Sequence, residues 1–463
     1  MKLKSMFSAM VAGALMASCS SVESEMQHLD NPVLPGYFAD PSVVQLNGTF
    51  YLYATADPWG TEFLSCWTTV DFHNWEWHKL NWPTKEACTS PLSNENMVWA
   101  PSVVERDGKY YMYVSVGSEV WCGKADSPLG PWENALGDKP LIAADTTMTY
   151  HVIDAEAFID DDGKAYLYWG SGWNWVNGHC YVAELGDDMC SFKGEPKDVT
   201  PTNYFEGPLM LKRNGKYFLT YSDGKTLDTT YKVRYAVGDN PFGPFTEAVN
   251  SPILKAHDDL KVYGPGHHTV ITCDGRDYIL YHKHRLPYVE GTAYRQTCIA
   301  PLECIGDTIA TIIPFNSASF LLADRLAASW IEPASVEASS SESSDFTVQC
   351  AFDNSNGTRW QAAESDSTAM MTATFDGKVL IDTVRILPEY PWKQYYFKVE
   401  TSQDNGASWT TAADFTQNGA TGSPVLVSVG KECDAVKVEF VPADSTAATP
   451  SLWELKFQGK SKK

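Results

Sequence analysis

The stretch "FADPSVVQLNGTFYLYAT" (residues 38–55) consists of an apolar run, an Asn-Gly pair and an aromatic run. Asx-Gly between two apolar runs predicts a tight β-hairpin, because the turn requires positive φ. The plan recurs in "WAPSVVERDGKYYMYVS" (99–115), "IDAEAFIDDDGKAYLYWG" (153–170), "FEGPLMLKRNGKYFLTYS" (205–222) and "GPGHHTVITCDGRDYILYH" (264–282). The chain therefore contains a repeated hairpin unit.

The spacing of these hairpins indicates the architecture. The hairpin glycines follow one another at intervals of 60, 55, 52 and 60 residues and are Gly48, Gly108, Gly163, Gly215 and Gly275. Each interval is long enough for four strands, and radial repetition of four-stranded sheets predicts a five-bladed β-propeller. The β-branched segment 297–315 is expected to close the ring or finish the last blade.

Composition limits the class of protein. The 463 residues are 44% hydrophobic and 13% aromatic, which is enough for a large core. The formal net charge of −23 repels phosphate backbones, and no Lys/Arg cluster offsets it locally. We therefore expect no nucleic-acid partner, and we expect a monomer.

The first 19 residues resemble a bacterial lipoprotein signal, with a basic start, a short apolar run and "LMASC" ending at Cys19. Cys19 would then be lipidated, and residues 20–28 would form a polar tether. An ordinary secretory peptide is the alternative. Either reading predicts export, to the outer membrane or cell surface as a lipoprotein or to the periplasm, with membrane contact only through the lipid anchor. The remaining ten cysteines are expected to be free thiols.

A shift toward Ser, Ala and Glu at residues 329–346 marks a domain boundary. We predict an all-β protein, with a propeller over residues 29–325 and a β-sandwich over residues 326–463. The sandwich segment is strand-like but lacks the repeated hairpin plan.

Candidate catalytic residues lie at the start of the repeats, where the inner strand of each blade begins near the propeller axis. This position gives Asp40, Asp154, Glu206 and His267, with Ala100 in the second repeat. Any one carboxylate taken alone is better explained as a strand-end cap or a turn residue. Three in register, beside Pro, Gly or Ala, indicate general acid/base hydrolysis of a glycosidic bond.

The five motifs together resemble glycoside hydrolase family 43, whose fold is a five-bladed β-propeller. The resemblance implies that Asp40 is the general base, Asp154 the pKa modulator and Glu206 the general acid of an inverting hydrolysis. It places His267 near the channel axis, where it would hold a water or a calcium ion. It also implies that Arg295 reaches the sugar, although a surface ion pair explains that arginine equally well.

Three tryptophans lie beside the motifs and are candidate substrate-binding residues: Trp99, Trp169 and Trp173. The loop "WGSGWNWVNG" (169–178) could serve as a sugar platform or as a plug between blades. The sequence alone favours neither reading.

The C-terminal part resembles the discoidin, or factor 5/8 type C, domain, which includes carbohydrate-binding module family 32. The motifs are "AFDNSNGTRWQA" (351–362), "ATFDGKVLIDTVRILP" (373–388), "FKVETSQDNGASWTTAAD" (397–414) and "SLWELKFQG" (451–459). The resemblance implies a jelly-roll β-sandwich with a structural calcium ion near Asp353, Thr358 and Glu454. Trp392 and Tyr395 are either exposed for glycan or packed on the propeller.

The expected function is that of an exo-acting glycoside hydrolase that needs no cofactor for its chemistry. Its expected substrate is plant polysaccharide or oligosaccharide, from which it releases a pentose, α-L-arabinofuranose first. Cleavage of β-D-xylose or of galactan is the alternative within the family. A catalytically inactive glycan-binding surface lipoprotein is the alternative from another class.

Overall fold

The computed structural model describes residues 27–90, 97–143, 145, 147–273, 275–315, 317–320, 326, 329–441 and 448–460. The predicted signal, Cys19 and residues 20–26 of the predicted tether lie outside these ranges. Strand β1 (Gln27–Asp30) begins inside the predicted tether, two residues before the predicted start of the propeller. Among the described residues, the helices are all too short or too polar to cross a membrane.

Five sheets surround a common axis, four with four strands and one with three, which confirms the five-bladed propeller. The short 3-10 helices Trp173–Trp175 and Asp258–Leu260 lie in connecting loops. The strands of the first three blades are β2 (Phe38–Leu46), β3 (Thr49–Ala56), β4 (Phe63–Thr69), β5 (Glu76–Thr84); β6 (Val98–Arg106), β7 (Lys109–Val116), β8 (Val120–Ala125), β9 (Glu133–Asn134); β10 (Glu156–Ile159), β11 (Ala165–Trp169), β12 (Tyr181–Glu184) and β13 (Lys197–Asp198).

The last two blades contain β14 (Glu206–Arg213), β15 (Lys216–Asp223), β16 (Lys232–Gly238), β17 (Thr246–Glu247), and then β18 (Gly266–Cys273), β19 (Arg276–His284) and β20 (Arg295–Leu302). A small hairpin follows, formed by β21 (Cys304–Ile305) and β22 (Thr308–Ile309). Segment 297–315 therefore begins within the last blade and completes it. Finishing the last blade was one of the two roles predicted for this segment.

The predicted hairpin turns are present, with one difference. Asn47 and Gly48 have φ of 51° and 80°, and the strand ends Leu46 and Thr49 pair directly across them. This is the two-residue turn that Asn-Gly favours. The third hairpin has a longer loop instead, in which the Asp160 N–H bonds to the carbonyl of residue 164.

Tyrosines of the aromatic strands join neighbouring blades. The hydroxyl of Tyr53 in the first blade donates to the Pro128 carbonyl in the second. The Tyr168 hydroxyl of the third blade likewise donates to the Pro241 carbonyl of the fourth. Burial of a tyrosine requires a partner for its hydroxyl, and here the Pro-rich outer turns supply it. The recurring aromatic residues thus set the angle between blades.

Closure of the ring uses both ends of the propeller. The Asn31 side chain donates to the Ile299 carbonyl at 2.7 Å and accepts from the Ile299 N–H at 2.9 Å. Strand β1 pairs with β23 (Ser317–Phe320), so the last segment is hydrogen-bonded to the first. This closure makes the propeller one continuous unit around its axis.

The second domain is a β-sandwich, as predicted, built on two long bent strands. Its sheet order is β24-β31-β27-β30-β28-β29, with β25 on β27 and β26 on β31. The 3-10 helix Val348–Ala351 packs beside the core. The strands are β24 (Trp330–Ile331), β25 (Ser335–Ala338), β26 (Trp360–Gln361), β27 (Met370–Pro388), β28 (Phe397–Ser402), β29 (Thr410–Asp414), β30 (Val425–Phe440) and β31 (Ser451–Lys460).

The two domains are in contact through aromatic residues. Trp392 packs edge-on against Phe38 and Phe63 of the propeller, at ring-centroid distances of 6.0 and 6.4 Å. Tyr395 is buried within the sandwich core instead. Of the two readings left open for these residues, packing on the propeller is confirmed for Trp392. The ten cysteines within the described ranges are free thiols, as expected.

Candidate active site

The inner strands begin with a left-handed residue at the mouth of the propeller. Asp40, Ala100, Asp154 and His267 have φ of 52°, 46°, 58° and 35°. Such values are uncommon for residues other than glycine and cluster at functional sites. In the fourth blade the left-handed position is Gly207, with φ of 59°, so Glu206 lies one residue earlier than the predicted register.

This one-residue offset has a steric reason. A Cβ at position 207 would lie 3.3 Å from Cγ of His267, which leaves little room for a side chain there. The carboxylate of the fourth blade is therefore carried by the preceding residue. Glu206 has a longer side chain than aspartate, which compensates for its different starting point.

The irregular backbone at the start of each inner strand is hydrogen-bonded to the preceding blade. The N–H of Ala100 donates to Thr55 Oγ1, that of Asp154 to Ser115 Oγ and that of His267 to Ser222 Oγ, over distances of 2.8–3.0 Å. A bulge leaves backbone groups unpaired within its own ladder. These hydroxyls satisfy them and so help to fix the direction of the Asp154 and His267 side chains.

The three predicted acids face one cavity of about 470 Å³. Arg295, His267, Trp99 and Trp173 also line it, as do Asn174 and Trp175 of the predicted platform loop 169–178. Further lining residues that the sequence did not single out are Trp59, Met97, His151 and Thr226. The volume is in the range of small-molecule sites. The structure thus brings together residues as far apart in the chain as Asp40 and Arg295.

Asp40 is buried among cationic and hydrogen-bonding partners. Its Oδ1 lies 3.0 Å from Nη1 of Arg295 and 3.1 Å from Nδ1 of His282, and its Oδ2 accepts the Thr55 hydroxyl at 2.7 Å. Burial alone would raise the pKa of Asp40, but Arg295, His267 and His282 outweigh it and hold the pKa well below the usual range. Asp40 is therefore ionised at neutral pH.

Arg295 is buried, with 4% of its surface exposed, and is held by two carboxylates. Its Nε and Nη2 donate to the two oxygens of Asp57 at 2.9 and 2.8 Å, while Nη1 donates to Asp40. This bidentate geometry fixes the guanidinium plane. The surface ion pair considered from the sequence is wrong, and Asp57, which was not predicted, orients the arginine.

Replacement of Asp57 by asparagine is expected to destabilise the protein by about 3 kcal/mol, because it leaves the buried Arg295 charge only half compensated. Thermal and urea unfolding would measure this change. Asp277→Asn is the matched control, since Asp277 also pairs with an arginine through two bonds but at a partly exposed site. There the loss should be about 1 kcal/mol or less. Equal losses in the two variants would contradict the role given to Asp57.

Glu206 lies in a setting that favours its protonated form. The Tyr231 hydroxyl donates to its Oε1 at 2.7 Å and the Ser171 hydroxyl to its Oε2 at 2.9 Å. Burial raises the pKa of Glu206 to about 7, although both hydroxyls oppose the shift, and the negative charge of Asp40 adds to it. Glu206 can therefore carry a proton near neutral pH.

Asp154 and His267 complete the cluster. Burial and the nearby carboxylates of Glu206 and Asp40 raise the pKa of Asp154 well above its usual value. Nδ1 of His267 lies 3.4 Å from Asp40 Oδ1 and 3.5 Å from Asp154 Oδ2, and burial lowers the pKa of this histidine. Because Asp154 and Glu206 are coupled, their protonation behaves as a property of the pair.

Two further residues of the cluster, Tyr231 and His282, were missed by sequence reasoning. Their rings stack in parallel, 5.5 Å apart, so that Tyr231 faces Glu206 while His282 faces Asp40. Tyr231 lies in a loop without a repeat signature. His282 occupies the same place in its hairpin as Thr55 and Ser222 do in theirs, opposite the start of the inner strand. That correspondence is the signal that could have identified it.

The tryptophans predicted to bind substrate divide into two groups. Trp173 is 45% exposed and stacks on His151 with a centroid distance of 4.2 Å, while Trp99 meets His151 edge-on. Both line the cavity. Trp169 does not, because it is 1% exposed and stacks on Tyr181 and Phe192 inside the third blade. The prediction that Trp169 binds substrate is therefore wrong.

The residues predicted to hold calcium in the sandwich do come together. The Thr358 hydroxyl donates to Asp353 Oδ2 at 2.7 Å, and the Ser355 N–H donates to Asp353 Oδ1 and to Glu454 Oε1. Burial and the adjacent Asp353 raise the pKa of Glu454 well above its usual value, against the effect of Lys456. The exposed Asp353 carboxyl group and the buried Glu454 carboxyl group, beside a hydroxyl, fit a cation with oxygen ligands. In the described part of the chain, no group of three or more His, Cys, Asp or Glu is arranged for a metal, so an ion at His267 stays a prediction.

A comparison with protein families settles the relationship of the catalytic domain. The family model of glycosyl hydrolases family 43 matches residues 29–308. The chain belongs to this family. The F5/8 type C domain matches residues 335–455, in agreement with the sandwich. The family 43 match covers all five blades and contains each of the three acids.

Individual relatives of this family 43 member carry different activities in their names. "Beta-D-galactofuranosidase xynD" of Aspergillus niger is 40% identical over 288 residues, which are 58% of this chain and 80% of that protein. "Xylosidase/arabinosidase" of Bacteroides ovatus is 28% identical, and the match covers 54% of this chain and 87% of that protein. A solved structure described as "Glycoside hydrolase" is 26% identical, with a TM-score of 0.77 over 92% of this chain and 99% of that one.

Proposed function

We propose that this family 43 hydrolase is an inverting exo-enzyme that releases α-L-arabinofuranose from side chains of plant polysaccharide. The observation that carries the proposal is the contrast between two carboxyl groups of one cavity. Asp40 has a strongly lowered pKa, whereas Glu206 has a pKa raised to about 7. Carboxyl groups whose pKa values are pushed apart are suited to act as base and acid.

In the mechanism that follows, a water held by ionised Asp40 attacks the anomeric carbon as Asp40 takes its proton. Glu206 gives its proton to the leaving oxygen as the glycosidic bond breaks. One direct displacement inverts the anomeric configuration. The cycle leaves Asp40 protonated and Glu206 ionised, and proton exchange with solvent restores both groups.

The remaining residues of the cavity position these two. Arg295 keeps Asp40 ionised and is itself oriented by Asp57, while Tyr231 and Ser171 hold the two oxygens of Glu206. Trp59 and Trp173, both partly exposed, offer ring faces at the cavity for a sugar. A cavity lined by several aromatic residues favours removal of one terminal unit over cleavage within a long chain.

A second substrate, β-D-galactofuranose, is favoured by one comparison. The Aspergillus niger relative that bears this activity in its name is 40% identical over 288 residues, which are 58% of this chain. The ring of β-D-galactofuranose has the configuration of α-L-arabinofuranose and differs only in a longer exocyclic chain. A pocket with space beyond the exocyclic carbon would accept both sugars.

A substrate screen tests the proposal. The protein is assayed on the 4-nitrophenyl glycosides of α-L-arabinofuranose, β-D-galactofuranose and β-D-xylopyranose, and on arabinan and arabinoxylan. We expect the highest kcat/KM on the arabinofuranoside and release of monomeric arabinose. Preference for the galactofuranoside would transfer the assignment to the second candidate. Activity on the xyloside alone would overturn both, and inactivity on all substrates would favour a glycan-binding role.

The pH profile of kcat/KM is expected to have one descending limb, near neutral pH. Since Glu206 must be protonated, kcat/KM should fall as the pH rises through about 7. Asp40 stays ionised below its ordinary pKa of about 3.9, so no loss from this residue is expected above that pH. Tyr231→Phe removes a bond to charged Glu206 and should move the limb up by about one pH unit.

The control for this shift is Tyr221→Phe. Tyr221 is another buried tyrosine of the fourth blade, and its hydroxyl donates to the Thr202 carbonyl instead of to an acid. Its replacement should leave the limb in place. A limb that moves equally in both variants would show that Tyr231 does not act through Glu206.

We also propose that the sandwich binds calcium at Asp353, Thr358 and Glu454. Calcium at 100 times its Kd should stabilise this domain by about 2.7 kcal/mol. Thermal unfolding in calcium and in EGTA would measure the difference, which Asp353→Asn should abolish. The exposed Asp376 provides a control variant, Asp376→Asn, that should keep the full response. A calcium response that survives Asp353→Asn would contradict the site.

A further inference from the structure

A second cavity, of about 900 Å³, lies between the two domains. The propeller contributes the region of Tyr37 and the segment from Lys283 to Tyr288, and the sandwich contributes Arg359 and Trp453. None of the described residues that line it also lines the active-site cavity. It is therefore a separate site, formed only where the two domains meet.

This interdomain cavity is basic, although the chain as a whole has a net charge of −23. Its basic residues are Lys261, Lys283, Arg285 and Arg359, and its acidic residues are Asp30 and Asp345. Each of the two arginines keeps an unused buried donor, Nε in Arg285 and Nη1 in Arg359, with no hydrogen-bond partner in the described part of the chain. Arg359 is already paired with Glu389 at 2.8 Å, so the cations of this cavity that no carboxylate pairs with in the described part of the chain are Lys261, Lys283 and Arg285.

Lys283 is the most informative of these groups. It is 1% exposed, and neither a hydrogen bond nor an ion pair joins its ammonium group to another described residue. Burial lowers the pKa of its ammonium group, and no carboxylate contributes to offset this. A buried ammonium without a counter-charge is costly, so such groups are normally paired. An anionic group in the cavity would supply the missing partner.

Aromatic rings occupy the same wall. Tyr263 and Tyr288 are partly exposed, and their rings lie 4.9 Å apart at an angle of 32°. The Tyr288 hydroxyl is buried and has no hydrogen-bond partner among the described residues. Tyrosine combines an apolar face with a polar tip, which suits contact with a sugar ring and its hydroxyls. A bare inorganic anion would leave these rings unused.

We propose that the interdomain cavity binds a single uronic acid unit of an acidic saccharide, with Lys283 as the central cation for its carboxylate. Tyr263 and Tyr288 contact the sugar ring. A polyanionic chain is disfavoured, because the protein as a whole has a net charge of −23 and charge repulsion acts over about 8 Å at physiological ionic strength. A single carboxylate inside the cavity is attracted by the basic residues that line it.

The test is calorimetric titration of the full chain at 0.15 M salt with three probes: methyl β-D-glucuronide, methyl β-D-glucoside and inorganic phosphate. We expect the glucuronide to bind at least 10-fold more tightly than either of the others. Lys283→Met should weaken its binding at least 10-fold and leave the thermal midpoint at or above that of the wild type. Tyr288→Phe should weaken binding about 3-fold, and Lys255→Met, at an exposed lysine outside the cavity, should change nothing.

Equal affinity for the glucuronide and the glucoside would overturn the proposal. Phosphate affinity that matches that of the glucuronide and depends equally on Lys283 would also overturn it. The third contrary result is a glucuronide affinity that is unchanged in both Lys283→Met and Tyr288→Phe. Should Lys283→Met fail to fold, the Tyr288→Phe titration decides. Hydrolysis of aryl furanosides is measured on every variant and should stay at the wild-type rate. Failure of this site is thereby distinguished from failure of the proposed hydrolase function.

Discussion

Glu206→Gln is expected to lower kcat on an arabino-oligosaccharide by about 10³-fold to 10⁴-fold, since a positioned general acid contributes up to this amount. The glutamine keeps the size of the side chain, and its amide oxygen can accept from one of the Tyr231 and Ser171 hydroxyls while its NH2 group donates to the other, but it cannot give a proton to the leaving oxygen. The loss should be much smaller on a 4-nitrophenyl glycoside. That leaving group departs as a stable anion and needs little protonation.

The dependence on the leaving group separates acid catalysis from general damage. A distorted cavity would lower the rate on both substrates by a similar factor. Glu105→Gln is the control, because this glutamate lies near the end of strand β6 in the second blade, where it accepts the N–H of the turn residue Gly108. It should retain the wild-type rate on both substrates. Equal losses on the two substrates in Glu206→Gln would contradict its role as the acid.

Asp40→Asn is expected to lower kcat by about 10⁴-fold on activated and unactivated substrates alike, because both reactions need the attacking water to lose its proton. Asparagine can still accept the Thr55 hydroxyl, but it carries no charge for Arg295. The thermal midpoint should therefore fall as well, and kcat has to be measured well below it. Asp126→Asn, at an exposed aspartate paired with Lys109, is the control and should change neither quantity.

The stereochemistry of the product checks the base directly. Proton NMR of wild-type hydrolysis should show the first-formed sugar with inverted anomeric configuration. Retention would mean that a carboxylate forms a covalent bond to the sugar, which is incompatible with Asp40 as the base for a water. A loss in Asp40→Asn confined to the unactivated substrate would also contradict the assignment.

The propeller and its three acids were predictable because their signals are local. Asn47-Gly48 and its counterparts specify hairpins through the φ that their own residues adopt, and the hairpin interval gives the number of blades. Each acid sits next to such a hairpin, so the repeat aligns it with the others. The third turn and the position of Glu206 show the limit of this alignment, since one residue of slippage leaves the sequence pattern intact.

Residues that act through contacts with distant segments could not be predicted. Asp57 is identified only by its bonds to Arg295, and Tyr231 only by its bond to Glu206. Trp169 and Trp173 look alike in sequence, yet one is in the core and the other at the cavity. Which side chain points to the axis depends on how the blades pack on one another.

The sequence by itself therefore determined the five hairpins, the order of the two domains and the set of carboxylates at the start of the inner strands. Short-range turn chemistry and hydrophobic pattern are sufficient for these features. The tertiary structure alone decided the charge state of the acids, because the pKa of Asp40 and of Glu206 depends on burial and on partners from other blades. It also decided the interdomain cavity around Lys283, whose walls come from segments that meet only after both domains have folded.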